Sequence, residues 1–296
     1  MVPDEEAERE GDLLRARRTP VGGAHVRRAG EDVRRGAPLL HPGRVVRPFE
    51  LALLVGAGVR RVQVVRRPVI ALLPTGDELA RAARRTAVCD AVSPALAALV
   101  RAAGGAPRPH PVAADRLPAV CAALRRAARG ADLVITVGGV SRGPRDFMRP
   151  ALRRLGGVVF AGVAMKPGKP VAFGFVGRVP VLALPGNPGS ALITFLELAE
   201  PAIRALAGRP ALHQDARARL SAGLRGHRRR TLYLWARVRR RGGALRARLA
   251  GPVGSHRLAP AAEANALIVL PAGTGSVAAG RPVAIRWLPG AAEAES

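Results

Sequence analysis

Residues 69–79 read Val-Ile-Ala-Leu-Leu-Pro-Thr-Gly-Asp-Glu-Leu, an uninterrupted apolar run that leads directly into hydroxyl and carboxylate side chains. A run that is apolar at every position is typical of a strand buried on both faces, as in a parallel sheet. Two further runs have the same form. Leu133–Val137 leads into Gly138-Gly139, and Val179–Leu184 leads into Pro185-Gly186-Asn187-Pro188. The sequence therefore predicts three buried strands, each followed by a loop of unusual composition.

Helical patterns lie between and after these strands, over residues 93–104, 117–129, 150–155 and 190–206. Alternation of buried strands with helices predicts an α/β fold with a doubly wound, mostly parallel sheet. We place this domain at residues 66–210. Ligands bind such sheets beyond the carboxyl ends of the strands, so the loops there are the candidate site.

The rest of the chain has different patterns. Residues 215–290 contain short alternating apolar segments, which predict a small all-β domain. Residues 1–21 are acidic and then basic without a core pattern, and we expect a disordered tail. Residues 22–65 predict short strands or turns and then a helix over residues 48–58. The apolar runs are too short to span a membrane, and the acidic start is unlike a secretory signal, so we expect a cytoplasmic protein.

The net charge of +27 raises the question of a nucleic-acid partner. Only two of the 48 basic residues are lysine, and aromatic residues make up 3% of the chain. Arginine is thus spread over the sequence without the aromatic side chains that a base-stacking surface needs. We expect incidental binding of polyanions and no specific nucleic-acid ligand. Cys89 and Cys121 lack metal-ligand spacing and are expected to be reduced thiols.

Two of the loops after the predicted strands contain acids. Thr75-Gly76-Asp77-Glu78 places a hydroxyl and two carboxylates at the sheet edge, although the same residues also suit an ordinary helix start. The second loop runs from Gly138 to Asp146. Its paired glycines would let backbone N–H groups approach an anion, and Asp146 would suit magnesium. The alternative is a glycine-rich turn with a capping aspartate.

The other two loops suit anions. Met165-Lys166-Pro167-Gly168-Lys169-Pro170 holds both lysines of the chain. Prolines stiffen this loop and fix where the two ammonium groups point, so a small oxyanion is the expected ligand. The alternative is that both residues are surface lysines by chance. Pro185-Gly186-Asn187-Pro188 precedes a helix, where backbone N–H groups favour phosphate. A tight Asn-Pro turn is the alternative for that segment.

Taken in order, these four segments resemble the molybdopterin molybdotransferases, the family that includes the gephyrin E domain. Residues 27–40, 51–79 and 254–271 resemble other parts of that family, so the resemblance covers residues 22–289. The related molybdopterin adenylyltransferases share the first motif, but they lack the lysine loop and the β domain. The family's early segment, which completes the cleft of the neighbouring subunit, has no counterpart here, so the chain resembles an N-terminally shortened member.

The resemblance implies an enzyme that inserts molybdate into molybdopterin-AMP with release of AMP and with Mg²⁺ as cofactor. It also implies a homodimer, with a molybdopterin adenylyltransferase or a molybdoenzyme as partner. The implied catalytic residues are Asp77, Glu78, Asp115 and Asp146, with Asp115 and Asp146 on the metal. The implied molybdate-binding residues are Lys166, Lys169, Pro170 and Ser255. The residues implied to line the molybdopterin and nucleotide are Thr75, Gly76, Gly138, Gly139, Ser141, Pro185, Gly186, Asn187 and Pro188.

Three positions depart from the family pattern. Gly162 stands where a basic residue is usual, Trp235 stands where an arginine faces the molybdate, and Val92 stands where an asparagine is expected after Asp90. These departures leave an alternative open: a catalytically impaired homologue that binds molybdopterin or molybdate without turnover.

Overall fold

The computed structural model of the chain describes residues 2–19, 21–80, 89–141, 143, 146–210 and 215–290. Its strands are β1 (Ala7–Glu10), β2 (Leu13–Ala16), β3 (Val69–Pro74), β4 (Ala106–Pro109), β5 (Leu133–Val137), β6 (Gly156–Ala161), β7 (Met165–Lys166), β8 (Ala172–Val176), β9 (Val179–Leu184), β10 (Asp215–Leu220), β11 (Leu224–Arg225), β12 (Thr231–Arg241), β13 (Ala244–Leu249), β14 (Ala266–Leu270), β15 (Ser276–Val277) and β16 (Pro282–Trp287). Its α-helices are α1 (Pro48–Gly56), α2 (Asp77–Ala80), α3 (Val92–Ala103), α4 (Leu117–Ala128), α5 (Met148–Leu155), α6 (Pro188–Thr194), α7 (Glu200–Leu206) and α8 (Ala259–Glu263).

The chain divides into two compact units, Met1–Gln63 and Val64–Ser296. The first unit contains a short 3₁₀ turn (Asp4–Glu6), the β1–β2 hairpin and α1. The hairpin lies where the sequence predicts a disordered tail. Gly11, at φ +62°, supplies the turn, and Arg17 donates a hydrogen bond to Glu8 across the strands at 3.0 Å. Residues 22–47 form turns rather than the short strands that the sequence allows.

The predicted helix after residue 47 is present as α1. Pro48 occupies its first turn, where the missing N–H costs no hydrogen bond. Glu50 accepts the Arg47 backbone N–H at 3.1 Å and also contacts the guanidinium groups of Arg44 and Arg47. These cationic partners hold the pKa of the Glu50 carboxyl well below its usual range. The buried acid therefore anchors the start of the helix.

The α/β domain is built on a six-stranded sheet in the order β4-β3-β5-β9-β8-β6. The first four strands are parallel, and β8 is antiparallel to both of its neighbours, β9 and the edge strand β6. Helix α3 and the segment from residue 188 to 206 pack on one face, while α4 and α5 pack on the other. The predicted doubly wound, mostly parallel sheet is confirmed. The sequence patterns missed β4, β6 and β8.

The long helix predicted for residues 190–206 begins two residues earlier, at Pro188, and is not α-helical throughout. Its middle part, Phe195–Ala199, is a π-helix that separates α6 from α7. A π segment places its side chains at a different angle from the flanking turns. Phe195 and Leu196 enter the core, and the same segment carries the buried acid Glu197.

The C-terminal strands form a small barrel, in agreement with the predicted all-β domain. Strands β13, β10, β16, β14 and β12 are hydrogen-bonded in this order, and pairing of β12 with β13 closes the ring. Strand β7 of the preceding domain adds to the beginning of β12 in parallel register, with Thr231 opposite Met165. The α/β domain and the barrel thus share a strand pairing at the lysine loop. None of the described helices is long and apolar enough to cross a membrane.

Candidate functional site

Three loops meet at the carboxyl ends of β3, β5 and β9. The Thr75 backbone N–H and hydroxyl both donate to the Val137 carbonyl, at 2.9 and 3.1 Å. The Gly138 N–H donates to the Leu184 carbonyl at 3.1 Å. Each loop is therefore fixed to the next along the sheet edge, and the loops predicted from the strand ends lie side by side.

Glycine is required at position 138 by close contact with the first loop. Its φ is +95°, and a Cβ there would lie 2.7 Å from the Thr75 carbonyl oxygen. The same geometry changes the interpretation of the glycine pair. The Gly138 N–H is already bonded to Leu184, so the two glycines do not present both of their amides to an anion. Gly76 is likewise bonded through its N–H, to the Ala113 carbonyl at 3.2 Å.

The predicted acids occupy two separate places. Asp77 and Asp115 face each other: each accepts the backbone N–H of the other, at 3.1 and 3.2 Å. Asp146 accepts the N–H groups of Ser141 and Gly143 within its own loop, at 3.0 and 2.6 Å. The exposed Glu78 folds back over Gly76.

This arrangement bears on the expected metal pair of Asp115 and Asp146. Asp115 and Asp77 each accept the backbone N–H of the other, while Asp146 acts as a cap for its own loop. Within the described residues, no group of three or more His, Cys, Asp or Glu side chains is placed to hold a metal ion. Residues 142, 144 and 145 of the Asp146 loop lie outside the described part of the chain.

The lysine loop differs in position from the other three. It follows β6, the edge strand of the six-stranded sheet, and its first two residues form β7, which pairs with the barrel strand β12. Gly168 has a φ of +106° and packs against Thr194 and Met165, so that a Cβ would overlap the Thr194 methyl group. Lys166 and Lys169 are both exposed, and among the described residues neither has an ion-pair partner.

The loop before α6 brings Ser255 to the lysines. The Gly189 N–H donates to the Ser255 carbonyl at 2.9 Å, and Asn187 Nδ2 lies 3.4 Å from the Ser255 hydroxyl. A Cβ at Gly189 would lie 2.9 Å from the same carbonyl oxygen, so only glycine permits this approach. Pro185 is buried beside this contact, Gly186 is exposed, and Pro188 begins the helix. Residues 254–256 of the barrel are thereby fixed against the α/β domain.

A cleft of about 610 Å³ is enclosed by the lysine loop, the Asn187 loop and the barrel. Its polar lining residues include Lys166, Lys169, Asn187 and Ser255, and Pro170 of the lysine loop also lines it. The lining is otherwise mainly apolar and includes Ile193, Leu232, Leu234, Trp235, Leu249 and Val253. None of the described residues that line the cleft is Asp or Glu. The cleft is therefore suited to an anion attached to a larger, less polar body.

Comparison with known proteins identifies the family of the chain. The family described as "Probable molybdopterin binding domain" matches residues 71–205, "MoeA C-terminal region (domain IV)" matches residues 217–287, and "MoeA N-terminal region (domain I and II)" matches residues 1–58. Molybdopterin molybdenumtransferase 2 of Mycobacterium tuberculosis is 35% identical over 290 residues, which cover 95% of this chain and 71% of that protein. The chain belongs to the molybdopterin molybdenumtransferase family.

Other relatives agree with this assignment. The molybdopterin molybdenumtransferase of a Nostoc species is 32% identical, with 98% of this chain and 69% of that protein covered. A solved molybdopterin biosynthesis MoeA protein from Pyrococcus horikoshii is 26% identical with a TM-score of 0.76, and 96% of this chain and 70% of that chain are covered. Membership in the molybdopterin molybdenumtransferase family makes the chain a transferase with a role in molybdenum cofactor biosynthesis.

Family motifs alone did not indicate all residues of the cleft. Arg225, Arg230 and Tyr233 also line it, and the half-buried His227 lies beside Arg230. Burial, with the neighbouring Glu197 carboxylate, raises the pKa of Tyr233 to about 12. Tyr233 and Trp235 stand close together in a chain with 3% aromatic residues, a signal that could have drawn attention to them. Arg230 gives no such signal, because arginine is abundant throughout the barrel.

The three departures from the molybdopterin molybdenumtransferase pattern have local explanations. Asp90 accepts the N–H groups of Val92 and Ser93, at 3.1 and 2.9 Å, so it caps α3, and Val92 is buried in the first turn. Gly162 has a φ of +96° and donates its N–H to the Val171 carbonyl at 2.7 Å. Trp235 packs against the core of the α/β domain and lines the cleft.

Proposed function

We propose that the chain inserts molybdate into adenylated molybdopterin and releases AMP. The observation that carries this proposal is the cleft lined by Lys166, Lys169, Asn187 and Ser255 without any lining carboxylate among the described residues. Molybdate is a small tetrahedral dianion. Two ammonium groups match its charge, and hydroxyl and amide donors match its oxygen atoms. Pro170 and cis-Pro167 lie on the same loop and limit the directions in which the lysines can point.

The adenylate would lie toward the sheet edge, on the loops of Thr75–Gly76, Gly138–Gly139, Ser141 and Pro185–Pro188. Support comes from contact between these loops: a Cβ at Gly186 would lie 3.5 Å from the Gly138 Cα, so the Asn187 loop joins the cleft to the glycine loop. In this proposal Glu78, Asp77, Asp115 and Asp146 serve the adenylate. The exposed Ser141 hydroxyl and the Asn187 amide would donate to phosphate oxygens.

Two of the carboxylates at this edge of the sheet suit a magnesium ion. Asp77 and Asp115 would supply carboxylate oxygens from facing loops. Mg²⁺ commonly binds one or two carboxylates and completes its coordination shell with phosphate oxygens and water. We therefore propose Asp77 together with Asp115 as holders of the ion, with Asp146 keeping its loop in shape. When bound, the ion would neutralise charge on the phosphoanhydride as it is cleaved.

The second candidate is a homologue that binds molybdopterin or molybdate without turnover. The observation that favours it is the indole of Trp235 on the cleft wall, where a charged donor would otherwise stabilise the oxyanion. The homodimer, the adenylyltransferase or molybdoenzyme partner and the cytoplasmic location stay predictions from the sequence.

The experiment that separates the two candidates is AMP release from purified protein given molybdopterin-AMP, Mg²⁺ and molybdate. Lys166→Ala should reduce molybdate-dependent AMP release by about tenfold or more, because a charge-assisted hydrogen bond contributes about 1.4 kcal/mol or more. Arg178→Ala is the matched control, since Arg178 is an exposed cation on the β8–β9 turn. Release that depends on molybdate and on Lys166 supports the transferase. Binding of molybdate without AMP release supports the impaired homologue, and neither binding nor release contradicts both.

A further inference from the structure

The cleft is lined by more cations than the two lysines. Arg225 and Arg230, both from the barrel, also line it. Arg225 is exposed, while Arg230 is half-buried. A guanidinium held partly out of water interacts more strongly with an anion than one that is fully solvated. Of these two arginines, Arg230 is therefore the stronger candidate for binding an anion.

Main-chain hydrogen bonds bring Arg230 to the lysine loop. The next residue, Thr231, donates its N–H to the Ala164 carbonyl at 2.9 Å, and Leu232 lies opposite Lys166 in the parallel β7–β12 pair. The start of β12 is thus fixed against the strand that carries Lys166. The position of Arg230 near Lys166 follows from this strand pairing and does not depend on the arginine side chain.

His227 provides a side-chain contact for the same arginine. Its Nε2 lies 3.0 Å from Arg230 Nη2, and its Nδ1 lies 3.1 Å from the Arg229 backbone nitrogen. A neutral imidazole has one acceptor nitrogen, so the ring accepts from Arg230 in the tautomer that carries its proton on Nδ1. Partial burial and the positive charges of Arg230 and Lys166 lower the pKa of His227. The ring is therefore neutral near pH 7. The neutral ring contacts the arginine and leaves its positive charge in place, whereas a carboxylate would neutralise that charge.

We propose that Arg230 is a third cation of the oxyanion site, beside Lys166 and Lys169, and that His227 is the residue that positions it. A guanidinium offers two parallel N–H groups to one anion, which an ammonium cannot do. This inference rests on the proposed function, because it takes the anion to be molybdate. It adds a cation from the barrel to a site otherwise built on the lysine loop, Asn187 and the barrel residue Ser255.

Calorimetric titration of the full chain with molybdate tests the role of Arg230. Arg230→Ala should weaken molybdate binding about tenfold or more, the loss expected for one charge-assisted hydrogen-bonding group. Arg228→Ala is the matched control: it removes one arginine from the same run, but that side chain is exposed and does not line the cleft. The control should bind molybdate within about twofold of wild type because distant solvated charges are screened. If Arg230→Ala does not fold, Arg230→Lys keeps the charge, and it should still bind more weakly because the paired donors are lost.

A double-mutant cycle tests the role of His227. His227→Ala should weaken molybdate binding in the wild-type background and have little further effect when Arg230 is already alanine, because the ring acts through the guanidinium. Equal losses in both backgrounds would contradict positioning.

The outcomes keep the two proposals apart. Wild-type affinity in Arg230→Ala, with binding lost in Lys166→Ala, would overturn the role of Arg230 and leave the proposed function standing. Absence of molybdate binding by the wild-type chain would overturn the proposed function and this inference with it.

Discussion

Tyr233 is the only tyrosine of the chain, so its ionisation can be followed directly. Tyr233 lines the cleft, and burial beside the Glu197 carboxylate raises its pKa to about 12. We expect the ultraviolet absorbance of tyrosinate to appear near pH 12 in the folded protein and near pH 10 in denaturant, where the usual tyrosine pKa of about 10 applies. Glu197→Gln should lower the folded midpoint, because it removes one of the two causes.

The raised pKa of Tyr233 also makes the stability of the folded protein depend on pH. A group whose pKa is raised on folding contributes its full stabilisation below the pKa of the unfolded state and loses it as pH rises toward the folded value. Stability should therefore fall between about pH 10 and pH 12, and less so in Tyr233→Phe, which has no proton to lose. A folded-state midpoint near 10 would show that the hydroxyl is freely solvated.

At the scale of the element, the lysine loop depends on Gly168. Its positive φ and its packing against Thr194 leave no room for a side chain. Gly168→Ala should destabilise the chain by about 1–3 kcal/mol and displace the loop, with weaker molybdate binding as a second effect. Gly177→Ala is the matched control, since Gly177 also has a positive φ, of +58°, but no atoms within 4 Å of a Cβ. It should show the backbone strain alone, with unchanged molybdate affinity. Thermal melts and calorimetry measure the two effects.

The sequence predicts those helices and strands that can be recognised from the pattern of their own residues. The buried strands β5 and β9 were predicted with their correct bounds, because parallel strands are apolar at every position. Strand β4, Ala-Pro-Arg-Pro, was missed because two prolines and a charge are tolerated only at the edge of a sheet. Strand β7 has two residues, and its pairing with β12 follows from the packing of the barrel and cannot be read from its own composition.

The same distinction holds for the site. Lys166 and Lys169 could be identified because the chain has no other lysine, and Asp77 because it follows a buried strand. The pairing of Asp77 with Asp115, rather than of Asp115 with Asp146, depends on loop contacts between segments 38 residues apart. Arg230 reaches the cleft, with His227 beside it, through the β7–β12 pairing. Non-local contacts of this kind leave no trace in the periodicity of one sequence.

At the scale of the whole molecule, residues 64–296 form one compact unit in which the barrel is tied to the α/β domain. Besides the β7–β12 pairing, an ion pair bridges the two parts. Glu197 of the π-helix contacts Arg286 of β16, which also donates to Asp215 of β10 at 2.9 Å. Glu197 is almost fully buried, so its charge depends on this partner for compensation. The bridge holds Tyr233, and with it one wall of the cleft, in place.

Removal of this buried acid should therefore affect stability far more than removal of a surface acid. We expect Glu197→Ala to lower the free energy of unfolding by about 3 kcal/mol, because it leaves Arg286 partly buried with only Asp215 as a carboxylate partner. Glu263→Ala breaks the pair with Arg237, whose atoms are 3.6 Å apart, but the Glu263 side chain is 69% exposed. That control should cost less than about 1 kcal/mol. Urea denaturation of the full chain compares them, and equal losses would show that the Glu197–Arg286 bridge does not join the two parts.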